Sequence, residues 1–132
     1  MSNLGRGLAA LMEHTEGFLK LVADARTRVR EVTVGEARER LAAGARLLDV
    51  REDSEWERGR AEGAEHLGRG VIERDVETLH PDKGEELILY CGGGYRSALA
   101  ADNLQRMGYT NVYSLAGGWR AWKEAGAPHE GD

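Results

Sequence analysis

The segment Cys91-Gly92-Gly93-Gly94-Tyr95-Arg96-Ser97 contains the only cysteine of the chain, between an apolar run ending at Tyr90 and a helical pattern that follows. In open α/β sheets, ligands bind beyond the carboxyl ends of strands, where the next helix offers unpaired N–H groups to an anion. Consecutive glycines let the backbone take positive φ and turn successive N–H groups toward one centre. A cysteine at the loop entrance puts its sulfur at that centre, where backbone dipoles and the Arg96 guanidinium favour thiolate over thiol. The chemistry this predicts is nucleophilic. A lone cysteine is commonly an inert buried thiol, but strand, Cys, three glycines, Arg and helix in succession form a more specific pattern.

The surrounding elements supply that strand and helix. From Glu31 onward, short apolar runs alternate with helical patterns, which predicts a parallel sheet flanked by helices. Val32 is a minimal first strand, and Arg46-Leu47-Leu48-Asp49-Val50 and Glu86-Leu87-Ile88-Leu89-Tyr90 read as buried strands. Ala64 to Leu67 and Val112 to Leu115 are further short strands. Thr33 with Glu36, and Ser54 with Glu57, have capping-box spacing and so predict helix starts. Helices are also predicted over Ile72 to Leu79, Ser97 to Met107 and Trp119 to Ala125; Trp119 and Trp122 share one face of the last, as core residues do.

Before this pattern, Leu4, Leu8, Leu11, Met12, Thr15, Phe18, Leu19 and Val22 recur at helical spacing, so residues 4–28 read as an amphipathic helix packed on its own domain. The division is a helical extension over 1–30 and an α/β domain over 31–132.

A chain of 132 residues with 41% hydrophobic content can bury one core without metal or disulfide staples. Its net charge of -5 disfavours binding to nucleic acid or an anionic membrane. No apolar run approaches the roughly 20 residues that cross a bilayer, and a single free thiol agrees with a reducing compartment, so a cytoplasmic location is expected. His14, His66, His80 and His129 are scattered without metal-ligand spacing, so neither a metal nor a cofactor is expected.

From Val32 to Pro128 the sequence resembles the rhodanese family. The likeness is carried by Leu48-Asp49-Val50-Arg51-Glu52, Glu55-Trp56, Gly63-Ala64-Glu65-His66, Tyr90-Cys91 with its loop, Met107-Gly108-Tyr109 and Leu115-Ala116-Gly117-Gly118-Trp119. The resemblance implies a rhodanese-like parallel sheet flanked by helices, with Cys91 as the residue that becomes a persulfide. It implies that Gly92, Gly93, Gly94, Tyr95, Arg96 and Ser97 form the substrate-binding loop, and that Asp49 ties loops together. Arg51 and Arg69 are expected at the mouth, attracting anions. Where many members have His-Ile-Pro-Gly-Ala, this chain has Arg60-Ala61-Glu62-Gly63-Ala64, so acceptor choice is left open.

The implied reaction moves a sulfane sulfur from a small donor such as thiosulfate to cyanide, a thiol or a protein acceptor, with ping-pong kinetics, in a monomer or homodimer. A cysteine-based phosphatase or arsenate reductase is the nearest alternative, since those enzymes use the same strand, loop and helix. Four residues separate Cys91 from Arg96 here, where the phosphatase pattern has five. A regulatory module without catalysis and a sulfenic-acid sensor are the other readings; the chain keeps the cysteine the first often lacks, and has no second cysteine to resolve the latter.

Overall fold

In the computed structural model, which describes residues 14–132, the loop cysteine is positioned by a period-two alternation in one strand. The central strand Leu87–Tyr90 is buried on both faces. Leu87, Leu89 and then Cys91 point into one core layer, while Ile88 and Tyr90 point into the other. In chain order the elements are helix α1 (Glu16–Arg26), β1 (Arg30–Val32), α2 (Val34–Ala42), β2 (Arg46–Asp49), α3 (Asp53–Arg58), β3 (Gly59–Ala61), β4 (Glu65–His66), α4 (Ile72–Leu79), β5 (Leu87–Tyr90), α5 (Tyr95–Arg106), β6 (Val112–Leu115), α6 (Gly118–Glu124) and β7 (His129–Gly131). The main sheet is parallel throughout, in the order β1-β6-β5-β2-β4. The expected parallel α/β architecture is therefore the one observed.

Helices α4 and α5 cover the face that carries Leu48, Val50, Leu87 and Leu89, with Ile72, Val76, Ala100, Ala101 and Leu104 buried against it. Helices α2 and α6 cover the other face through Val34, Ala37, Trp119 and Trp122, so both tryptophans are core residues. Helix α1 packs on α5 through the buried Val22 and Ala25, as expected for this extension. Arg28 anchors it, donating to both carboxylate oxygens of Asp102 at 2.9 and 2.8 Å. The expectation for residues 4–13 lies outside the described residues.

One local expectation is corrected. The helix after Arg51 is capped by Glu52 and Glu55 rather than by Ser54 and Glu57: it begins at Asp53, and the Glu52 N–H donates to Glu55 Oε1 at 3.1 Å. Ser54 falls one residue inside the helix and is not needed as a cap. A second sheet also appears, in which β3 and β7 pair antiparallel with Gly59 opposite Gly131. Both strands are short and glycine-bearing, without the apolar alternation that marks a half-buried strand.

The outer edge of the main sheet is tied by a buried histidine. His80 Nε2 lies 2.9 Å from Glu65 Oε2, and Nδ1 lies 2.9 Å from Glu85 Oε1. Burial alone would lower its pKa, but the two carboxylates outweigh burial and raise it above the ordinary value. The resulting stabilisation is fully present below the unfolded-state pKa of about 6.5 and is lost as pH rises through the higher folded-state value. Thermal melts of the native chain should therefore fall in midpoint as pH is raised from about 6 through that value. His80→Leu should cost about 2 kcal/mol at the acid end and flatten the dependence. An equal pH slope in the variant would remove His80 as its origin.

Candidate active site

Strand β5 ends at Tyr90 and α5 begins at Tyr95, so residues 91–94 form the turn between them. Cys91 is 1% exposed. Its Sγ accepts hydrogen bonds from the N–H groups of Gly94 at 3.1 Å and Ser97 at 3.4 Å, and its S–H donates to Ser97 Oγ at 3.5 Å. Ser97 Oγ is in turn 2.8 Å from Ser114 Oγ at the end of β6, and both serines are fully buried. The sulfur thus sits at the N-terminus of a twelve-residue helix, facing donors that match a negatively charged atom.

Of the loop glycines, only Gly94 has positive φ, at 97°, and it serves as the N-cap of α5. A side chain there would be strained and would approach the Gly117 nitrogen at 3.2 Å. The turn is fixed from behind by the start of α6. Trp119 N–H donates to the Cys91 carbonyl at 2.7 Å and Arg120 N–H to the Gly92 carbonyl at 3.2 Å. Gly118, with φ 52°, permits this approach; a Cβ there would collide with the Cys91 carbonyl oxygen.

Asp49 lies at the end of β2, opposite Tyr90 in the sheet register. Fully buried, it accepts from Arg51 Nη2 at 2.7 Å and from the Tyr90 hydroxyl at 2.6 Å. Arg51 also donates to the Gly59 carbonyl at 2.6 Å, so strands β2, β3 and β5 are joined just below the turn. Burial, reinforced by the Asp49 carboxylate, pushes the Tyr90 pKa above its ordinary value and keeps this hydroxyl a donor.

Arg96 lines the cleft beside Cys91, with its guanidinium in a bidentate pair with Glu55 of α3 at 2.8 and 3.0 Å. Hydrogen bonding within this pair raises the Arg96 pKa and lowers that of Glu55. The arginine at the rim is therefore held in place by a carboxylate from another element. The mouth expected of Arg51 and Arg69 is not where the structure places them. Arg51 is turned inward because the buried carboxylate of Asp49 needs a charged partner. Arg69 pairs with Glu73 at 2.9 Å, one helical turn away, beside a separate cleft that includes Arg28 and Asp102. The Arg60-Ala61-Glu62 segment also stands apart: Arg60 donates to the Trp56 carbonyl at 2.7 Å and pairs with Glu130 of β7.

The cleft over Cys91 has a volume of about 500 Å³. Gly93, Tyr95 and Arg96 line it on the loop side, and His14, Thr15 and Phe18 line it from the segment that opens α1. This second wall has no signal in a sequence reading centred on the cysteine, because it comes from a helix more than seventy residues upstream. Glu55 and Ser114 were equally hidden as site neighbours, although Glu55 carries a local signal as a cap.

The fold and site together are a parallel α/β sheet that presents a buried cysteine on a glycine turn at a helix N-terminus. Residues 33–125 match the model of the rhodanese-like domain, and the chain belongs to the rhodanese family. It is similar to the thiosulfate sulfurtransferase GlpE of Actinobacillus succinogenes, 38% identical over 87 residues that span 64% of this chain and 74% of that protein. It is also similar to the mitochondrial protein HIGH ARSENIC CONTENT 1 of Arabidopsis thaliana, 33% identical over 86% of this chain and 75% of that protein. Among solved structures, a Rhodopseudomonas palustris protein of unknown function, described as a possible tyrosine phosphatase, superposes with a TM-score of 0.78 at 29% identity, covering 89% of this chain and 97% of its own. Among the described residues, no helix is long and apolar enough to cross a membrane.

Proposed function

We propose that this chain is a sulfurtransferase that carries a sulfane sulfur as a persulfide on Cys91. The observation that carries the reading is the Cys91 sulfur, facing the Gly94 and Ser97 amides at the head of α5 and opening into a cleft. In the first half-reaction the thiolate attacks the outer sulfur of thiosulfate. A bond forms between Sγ and that sulfur, the donor's S–S bond breaks, and sulfite leaves with the electron pair. In the second, cyanide or a thiolate attacks the terminal sulfur, the new S–S bond breaks, and its electron pair returns to Cys91. Each step develops or relocates negative charge on sulfur beside the same N–H donors. Arg96 lies at the rim where the oxygens of an anionic donor would enter, positioned by Glu55.

Phosphoryl transfer is the second reading, favoured by the likeness to the possible tyrosine phosphatase. Against it stands the short turn, in which four residues separate Cys91 from Arg96 and leave a smaller ring than a tetrahedral oxyanion needs. Intact mass decides between them. After incubation with thiosulfate the protein should gain one sulfur atom, which cyanide removes as thiocyanate, while a chromogenic phosphate monoester should remain unhydrolysed. No mass gain from thiosulfate or any other sulfane donor would end the sulfurtransferase reading.

A further inference from the structure

The wall built by α1 has no counterpart in the reaction as stated so far. His14, Thr15 and Phe18 lie outside the residues that match the rhodanese-like domain, yet they line the same cleft as the reactive sulfur. The His14 ring centroid is 4.1 Å from that of Tyr95 and 4.9 Å from that of Phe18, and Phe18 is 6.2 Å from Tyr95. Three rings from two distant segments thus meet beside Cys91.

This wall is attached to the amide cradle. Arg26, at the end of α1, sets its guanidinium 4.8 Å from the Tyr95 ring centroid and donates to the Gly94 carbonyl at 3.2 Å. Gly94 is one of the two residues whose N–H donates to Cys91 Sγ. With Val22 and Ala25 buried and Arg28 bound to Asp102, α1 holds the rings at a fixed place. Phe18 itself is only half-buried, leaving part of its ring facing the cleft.

The cleft is also larger than the donor requires. Thiosulfate is a compact anion, whereas about 500 Å³ lies in the range of pockets that enclose organic ligands. Aromatic walls favour an apolar or aromatic body over a hydrated ion.

We infer that the α1 wall is an acceptor subsite, selecting organic thiols that carry an aromatic or apolar group and seating that group against Phe18, His14 and Tyr95. This rests on the persulfide reading and names the acceptor class. The step is RSH with Cys91–S–S⁻ giving R–S–S⁻ and Cys91–SH. The bond between Sγ and the carried sulfur breaks as the bond from the acceptor sulfur forms, and the thiol proton ends on Cys91.

The test loads Cys91 with sulfur and measures second-order transfer rates to benzyl mercaptan and to 2-mercaptoethanol. The native protein should prefer the aromatic thiol. In Phe18→Ala the ratio of the two rate constants should fall about tenfold, and Phe18→Trp should restore it. A ratio unchanged in Phe18→Ala, with equal losses toward both thiols or none, overturns the subsite. A second arm needs no sulfur transfer: alkylation of the unloaded thiol by N-benzyl iodoacetamide against iodoacetamide should show the same preference and the same loss. Failure to load sulfur with preference retained in this arm would refute the persulfide reading and leave the aromatic wall standing. Sulfur loading with no preference for the aromatic reagent in either arm of the native protein would refute the wall alone.

Discussion

Cys91→Ser is expected to take up no sulfur from thiosulfate, and to lose turnover by at least roughly three orders of magnitude. The serine hydroxyl can accept from the Gly94 and Ser97 amides as the sulfur does, so the turn keeps its hydrogen bonds. What is lost is the polarizable nucleophile, since a hydroxyl here has no neighbouring base to activate it: among the described residues the sulfur's hydrogen-bond partners are two amides and a serine hydroxyl. Intact mass after donor incubation, with a thermal melt of the same sample, separates chemistry from folding. Sulfur uptake by a folded Cys91→Ser protein would remove Cys91 as the carrier.

The largest effect on stability should come from Asp49→Ala. This carboxylate is fully buried and satisfies Arg51, itself 3% exposed, together with the Tyr90 hydroxyl. Its removal leaves a buried guanidinium without a counter-charge, and breaking a buried pair from one side costs about 3–5 kcal/mol. Because Asp49 and Tyr90 are register partners at the strand ends, the damage falls directly beneath the turn that carries Cys91. Urea unfolding should show a lower midpoint with an unchanged slope. A loss below about 1 kcal/mol would mean that water or other groups satisfy Arg51, and the pair would not be what holds the strand ends.

The parts of this molecule that could be read from its residues are those written in local spacing. Leu87 to Tyr90 is a continuous apolar run, and its alternation already assigns Cys91 to the face of Leu87 and Leu89. Thr33 and Glu36 make the capping box their spacing predicts, because both partners lie within one turn. The glycine turn between strand and helix is equally local. What escaped reading depends on partners far apart in the chain. Glu55 meets Arg96 across 41 positions and Arg26 meets Gly94 across 68, with no periodicity linking either pair. Arg51 and Arg69 looked alike as loop cations; only the buried Asp49 and the nearby Glu73 decide that one points inward and the other lies against a helix. Strands β3 and β7 escaped for a related reason, since each is defined by the other and neither has an apolar face of its own.

Strand β6 lies between β1 and β5, although it follows both in the chain, and α6 comes later still. A growing polypeptide therefore exposes the thiol of residue 91 well before it makes Ser114, which steadies Ser97, or the amides of residues 119 and 120 that hold the carbonyls of the turn. During synthesis, the hydrogen bonds that fix the turn around Cys91 become available only with the last elements. A nascent chain arrested before β6 has Cys91 but not the partners that hold its turn in place.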